Sequence, residues 1–394
     1  MKIAIITSGR LPVPATRGGA VETKLDYMMD YNATHHLHDI TVYSIKPDFY
    51  INKNTKENHY VHLRFDSFWA RICKYIFKKY NKTQYYTTEM EYFLYKCIQD
   101  IKRKQFDCII IANRPGFILK LREAFNICIV NQINNDYINP DSLLAGRIKE
   151  ASSVIITCSN YLNKRVQEVE CIKEPPIITV HNGIDIKRFS EAQPIKRMKL
   201  GVAKDDFVVF YSGRLTKEKG ILELIRAIKQ INSIPNIKLI IAGASFYGKD
   251  SKETIYTKIL QEEAKDIKES VYFTGFIDYK EMPSYLKTAN VVVVPSLWEE
   301  PFGLTVLEAM AAGVPLIATR CGGIPEVCDN TAFLIERENL ATNLVTAIQY
   351  IYKHPQEALL LAQKAQKRSW LFDKDTFSKN YFEVIKLTCD KNAK

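Results

Sequence analysis

The sequence predicts an α/β protein made of two doubly wound domains with parallel sheets. Two observations carry this. Short apolar, β-branched runs alternate with helix-patterned segments along the whole chain, as βαβ units require. In the second half each run ends in a polar or glycine-containing loop: Gly213-Arg214, Gly243-Ala244, Gly275-Phe276, Ser296 and Thr319. Open α/β sheets bind ligands outside the carboxyl ends of their strands, so functional residue types collect at the expected edge.

The first half offers strands at residues 3–7, 40–45, 60–63, 108–111, 127–131, 154–157 and 177–180. The opening, MKIAIITSGR, reads as a buried first strand; it lacks the length and cleavage site of a signal peptide. A loop from Arg10 to Ala20 follows, and a helix is expected from Val21-Glu22. Gly18 and Gly19 precede that helix, letting backbone approach a ligand and leaving N–H groups free; Arg10 and Arg17 add positive charge. No G-x-G-x-x-G pattern follows any strand. Residues 68–86, FWARICKYIFKKYNKTQYY, form a basic, aromatic amphipathic stretch, suited either to an anionic membrane face or to a domain surface with snorkelling lysines.

The polar, basic link 184–206 is expected to separate the domains, placing 1–183 in the first and 184–371 in the second. His181-Asn182-Gly183-Ile184-Asp185, with Phe189, lies at this junction. Strands are then expected at 207–212, 238–242, 271–274, 291–295 and 315–318. After the first of these, Gly213-Arg214-Leu215-Thr216-Lys217-Glu218-Lys219-Gly220 leads into an amphipathic helix. Arg214 suits bidentate contact with phosphate oxygens and Lys219 adds a compact charge. Thr274-Gly275-Phe276-Ile277 ends another strand, with Phe276 or Ile277 available as an apolar wall for a base. The stretch 295–327 holds Glu300 just before Pro301-Phe302-Gly303, then a helix from about Leu304 to Ala312 carrying Glu308 and closing on Gly313. A carboxylate at the mouth of a helix, free N–H groups and a second carboxylate one turn inside together suit a nucleotide sugar. From about residue 372 a last helix is expected to return to the first domain.

Composition sets bounds. The chain has 394 residues, 46% hydrophobic and 25% charged, ordinary for a globular protein of two domains. The formal net charge of +11 favours an anionic partner, but no zinc-finger, RNA-recognition or helix-turn-helix pattern supports nucleic acid. No apolar run is long enough to span a bilayer. Nine cysteines are scattered without a C-x-x-C pair, which speaks for reduced, buried thiols in a cytosolic protein and against zinc.

Four of these elements together resemble glycosyltransferase family 4 of the GT-B superfamily, and the resemblance spans nearly the whole chain. They are Gly18-Gly19; Asn182-Gly183-Ile184-Asp185 with Phe189; Gly213-Arg214-Leu215 with Glu218-Lys219-Gly220; and Glu300-Pro301-Phe302-Gly303 with Glu308-Ala309. The opening TSGRLPVPATRGGAVE and Asn135-Asp136-Tyr137 also look similar to bacterial transferases of capsular or cell-wall polysaccharide, including rhamnosyltransferases. The resemblance implies a GT-B fold of two facing Rossmann-like domains. It implies a retaining, metal-independent transfer from a UDP-, dTDP- or GDP-sugar to a saccharide or undecaprenyl-diphosphate-linked acceptor, at the cytoplasmic face of the plasma membrane, with no other cofactor. Arg214 and Lys219 would neutralise the diphosphate. Glu300, with the N–H groups near Phe302, Gly303 and Leu304, would position the sugar and phosphate. Glu308 would accept from the ribose hydroxyls, and Gly18 and Gly19 would approach the diphosphate or the acceptor. The sequence departs from the family at Asn134, where many relatives place a histidine near the transferred sugar; an amide still hydrogen-bonds a hydroxyl but does not titrate near neutral pH. Two rivals stay open: a nucleotide-sugar epimerase on the same fold, and an inactive partner subunit or coat-associated protein.

Overall fold

Seven runs of the first half pair into one parallel sheet: β1 (Lys2–Ile6), β2 (Asp39–Ile45), β3 (Asn58–Leu63), β4 (Cys108–Ala112), β5 (Cys128–Ile133), β6 (Val154–Thr157) and β7 (Ile177–Thr179), in the order β3-β2-β1-β4-β5-β6-β7. Six more form a second parallel sheet: β8 (Phe207–Ser212), β9 (Ile237–Ala242), β10 (Val271–Gly275), β11 (Val291–Val294), β12 (Leu316–Thr319) and β13 (Phe333–Ile335), ordered β10-β9-β8-β11-β12-β13. The computed structural model describes residues 1–49, 52–63, 71–72, 75–77, 86–231, 233–243 and 254–392. Central strands are buried on both faces, as in β4 (CIIIA) and β11 (VVVV). This is why they read as continuous apolar runs rather than alternating ones. β13 was not foreseen.

Each sheet belongs to its own unit. One unit is Met1–Gly183 with the C-terminal segment from Lys374, and the other is Ile184–Asp373. The final helix, Lys374–Asn392, belongs to the first unit because its apolar face completes that core. Phe377, Tyr381, Phe382, Ile385 and Cys389 pack with Leu25, Met28 and Met29 of the helix Ala20–His35. The second unit runs on to Asp373 because the Ile184 N–H donates to the Phe372 carbonyl at 3.1 Å.

The expected link 184–206 is not a solvent strand. Asp185 caps the short helix Ile186–Ser190 by accepting from the Arg188 N–H at 3.1 Å, and Ile186 and Phe189 are fully buried. Most of the 68–86 segment lies outside the described residues. Among the described residues no helix is long and apolar enough to cross a membrane.

In both sheets the chain starts at a central strand, builds outward one way, then crosses back. The order therefore reverses between β1 and β4, and between β8 and β11. Such reversals splay the two loops at the carboxyl edge and open a crevice there.

Candidate active site

In the second unit, the loops after β8 and β11 flank the reversal, and they carry the cationic and acidic residues singled out from sequence. Glu300 is 7% exposed. Its Oε1 accepts from the Lys219 ammonium at 2.6 Å and from the Ser296 hydroxyl at 2.6 Å. The Lys219 ammonium also stands 5.1 Å from the centroid of the Trp298 ring. The backbone ties the two loops together, the Leu297 N–H donating to the Glu218 carbonyl at 2.8 Å. Arg214, beside Gly213, keeps about two-fifths of its side chain in solvent and lies 3.9 Å from Glu218. It is held loosely enough to turn to an anion. At the same edge the Ser212 hydroxyl and the Trp298 indole N–H are buried without a hydrogen-bond partner. Buried polar atoms are normally satisfied, so unmatched ones at a strand edge mark a place for a polar ligand.

Gly220 makes this packing feasible. It joins the short turn Lys217–Lys219 to the helix Ile221–Gln230 with φ +67°, and a Cβ there would stand 1.9 Å from the Pro295 carbonyl oxygen. Gly220→Ala is expected to lower stability by at least about 2 kcal/mol and to separate Lys219 from Glu300. Denaturant unfolding checks this; a midpoint equal to the native one would refute it.

Glu300 leads into the helix Leu304–Ala312, whose N-cap, Gly303, offers no side-chain cap. The first N–H groups of that helix are thus left to other acceptors, and the helix dipole favours an anion there. Phe302 is buried and packs edge-on against Phe372, ring centroids 5.8 Å apart. Leu304 opens the helix. Glu308, one turn in, is buried, and that burial pushes its carboxyl up to about 7 against the opposing pull of a Tyr279 hydrogen bond and the Arg188 charge. Arg188 in turn donates to the Tyr279 carbonyl and stacks at 5.0 Å over its ring. Sequence reasoning missed Arg188 and Tyr279. Arg188 lay in the presumed link, and Tyr279 carries no motif; only the proximity of the helix Ile186–Ser190 to the helix Leu304–Ala312 brings them to Glu308. At the end of β10, Phe276 is partly exposed while Ile277 is buried, so Phe276 is the one left to offer an apolar face.

The first unit carries its own polar cluster. Gly18 and Gly19 have φ +74° and +105°, and a Cβ on Gly19 would stand 2.4 Å from a Glu22 carboxylate oxygen. The two glycines therefore let the chain fold over the start of the helix Ala20–His35. Arg17 pairs with Asp48. Burial raises the Glu22 carboxyl, while its own backbone N–H and then Arg114 and Lys24 draw it down. The strand expected at 127–131 runs two residues further, so Gln132 and Ile133 are the buried end of β5, and Asn134 is the first residue past that strand. Its side-chain oxygen and that of Asn182 both accept from the Lys24 ammonium.

Among the described residues one group has metal-ligand geometry: Cys108, Cys128 and Cys389, with all three Sγ atoms within 4.8 Å of one another. Spacing could not reveal it, since the three come from β4, β5 and the last helix. Cys108 and Cys128 begin their strands, at the end of the sheet opposite to Asn134.

Comparison with known proteins points in one direction. Residues 192–368, most of the second unit, match the family model described as glycosyl transferases group 1. The chain is 28% identical over 385 residues to YtcC of Bacillus subtilis (strain 168), which carries a glycosyltransferase designation, covering 93% of this chain and 87% of that one. It is also 28% identical over 343 residues to Spore coat protein SA of the same organism, covering 84% and 83%. Among solved structures, sucrose-phosphate synthase from Thermosynechococcus elongatus superposes with a TM-score of 0.77 at 21% identity, covering 98% of each chain. Anabaena HepE in complex with UDP and glucose does so with a TM-score of 0.72 at 20% identity, covering 98% and 99%. At these identities the two structures speak for the fold.

Proposed function

We propose that this chain, a GT-B glycosyltransferase whose second unit is a group 1 glycosyl transferase domain, moves a sugar from a nucleoside diphosphate to a saccharide acceptor with retention of configuration and without a metal ion. The observation that carries the reading is the meeting of Lys219, Glu300 and Ser296 beside an uncapped helix N-terminus, with Arg214 across the reversal of the sheet. A sugar nucleotide needs cations at its diphosphate and acceptors at its hydroxyls, and this edge supplies both. Arg214, Lys219 and the helix N-terminus meet the charge that builds on the leaving diphosphate, the role a metal ion would otherwise fill. The carboxylate of Glu300 takes hydroxyls of the transferred sugar, and Glu308 takes the ribose.

The bond from the anomeric carbon to the diphosphate breaks as the acceptor oxygen bonds to that carbon from the same face. The acceptor proton passes to a phosphate oxygen of the departing diphosphate. A UDP-sugar is the favoured donor, supported by the UDP bound in the HepE structure. The net charge of +11 and the basic segment 68–86 support a lipid-linked acceptor at the anionic inner face of the plasma membrane, with a hexose or deoxyhexose added to a growing polysaccharide. A second reading, a coat-associated protein that keeps the fold, is favoured by the likeness to Spore coat protein SA.

The test is a thermal-shift screen of UDP-, GDP-, dTDP- and ADP-sugars, followed by release of nucleoside diphosphate with free saccharides and with undecaprenyl-diphosphate-linked saccharides in anionic vesicles. One donor class is expected to raise the melting temperature by mass action and to be consumed only with acceptor. Arg214→Ala is expected to reduce turnover at least about 100-fold without changing the melting temperature of the free protein. Binding without turnover across the panel would favour the coat-associated reading, and acceptor-independent conversion of the sugar would favour an epimerase.

A further inference from the structure

Lys24 is an anomaly in the helix Ala20–His35. It is 2% exposed beside Leu25 and Met28 of the first unit's core, and among the described residues it forms no ion pair. A buried ammonium without a carboxylate is costly, because the desolvation of the charge is only partly returned. Burial lowers its proton affinity to about 8, opposed by the fields of Cys158 and Glu22. What it does have is two amides: it donates to Oδ1 of Asn134 and to Oδ1 of Asn182, and it faces the ring of Phe377 at 5.7 Å.

The chemistry of an ammonium makes this arrangement one-directional. It carries three donors and no acceptor, so each amide must turn its oxygen inward and its NH2 away. At Asn134 the consequence is visible. The residue is 9% exposed, and its Nδ2 is buried with no partner. Its backbone is pinned as well, the Asn134 N–H donating to Asn113 Oδ1 at 2.9 Å. An orphan buried donor costs about 1–3 kcal/mol when nothing accepts from it. Here it stands just past β5, on the carboxyl edge where ligands of parallel sheets bind.

We propose that Lys24 is a positioning residue that locks the Asn134 amide with its NH2 group presented to an oxygen of a bound saccharide. The inference rests on the glycosyltransferase reading. Lys24 itself touches no substrate; it acts by forbidding the flipped amide, which would present an oxygen where a sugar hydroxyl or ring oxygen needs a donor. A histidine in this place would serve as donor only in one tautomer or when protonated, whereas an amide held by an ammonium is a donor at every pH at which the lysine is charged.

The experiment is a double-mutant cycle on the full chain with the donor and acceptor found by the screen above. Lys24→Met keeps length and apolar character but releases the amide. It is expected to lower kcat on the order of 10-fold to 100-fold, while most of the donor-induced thermal shift is kept, because Arg214, Lys219 and Glu308, which meet the diphosphate and the ribose, lie in the second unit. Asn134→Ala should show a similar loss, and the double variant should be no worse than Asn134→Ala alone. Asn134→Asp keeps Lys24 partnered, and folded, while removing the NH2; it should lose kcat equally. Full kcat in Lys24→Met, or an undiminished further loss when Lys24→Met is added to Asn134→Ala, would overturn the proposal. If the native chain itself transfers no sugar, the functional reading fails first, and the cycle reports that separately through its native corner.

Discussion

Glu300→Gln is expected to lower sugar transfer about 1,000-fold, the loss typical of removing one preorganised electrostatic contact from a transition state. The physical case rests on what Gln keeps and what it removes. Its amide oxygen still accepts from Ser296, which stands 2.6 Å from Glu300, so the loop retains its path. The negative charge opposite Lys219 is gone. Lys219 is mostly buried at this contact, so it loses its partner in a place where solvent only partly replaces it, and the melting temperature should fall by about 5 °C. Lys219→Met should be worse for folding than Glu300→Gln, because it strands the deeper charge. The paired variant Glu300→Gln with Lys219→Met should recover stability without recovering activity. Steady-state release of nucleoside diphosphate and a thermal melt on all three variants check this. A Gln variant with native turnover and native melting temperature would remove Glu300 from the mechanism and the ion pair from the folding argument.

Glu308 should make the protein more stable in mild acid than at neutral pH. Burial holds its carboxyl at about 7 in the folded chain, against 4.5 for a free glutamate. The folded value is the higher one, so the contribution is fully present below pH 4.5, erodes above it, and is lost as pH rises through about 7. At about 1.4 kcal/mol per unit, ionising Glu308 removes roughly 3 kcal/mol of folding stability. Glu308→Gln should flatten this part of the profile, being uncharged throughout. The same substitution should weaken nucleoside diphosphate binding about 10-fold to 100-fold, since a hydrogen bond from ribose to a carboxylate is worth more than one to an amide. Denaturant melts of both proteins between pH 4.5 and 8 supply the measurement. Parallel curves would show that Glu308 is not the group responsible.

Much of the fold was legible because parallel sheets are buried on both faces. Runs such as Cys108–Ala112 and Val291–Val294 therefore announce themselves by composition alone. The helix Leu304–Ala312 was legible for a different reason. Gly303 and Gly313 bracket a run of helix formers, and Gly313 adopts the left-handed backbone that ends such a run. Arg188 was not legible as part of the Glu308 environment. It sits in a basic stretch that reads like a linker, and only the burial of Ile186 and Phe189 brings it inward.

What the sequence determined by itself was local: where strands and helices begin and end, and that Arg214, Lys219, Glu300, Glu308, Gly18, Gly19 and Asn134 lie in loops or first turns near strand ends. Propensity, capping and hydrophobic period act over a few residues, so they can be read along the chain. Only the tertiary structure decided which of these residues meet. Lys219 reaches Glu300 across 81 positions, Lys24 reaches Asn134 across 110 and Asn182 across 158. The reason is sheet order: strands adjacent in space are distant in sequence wherever the order reverses, and no local signal records which loops that reversal brings face to face.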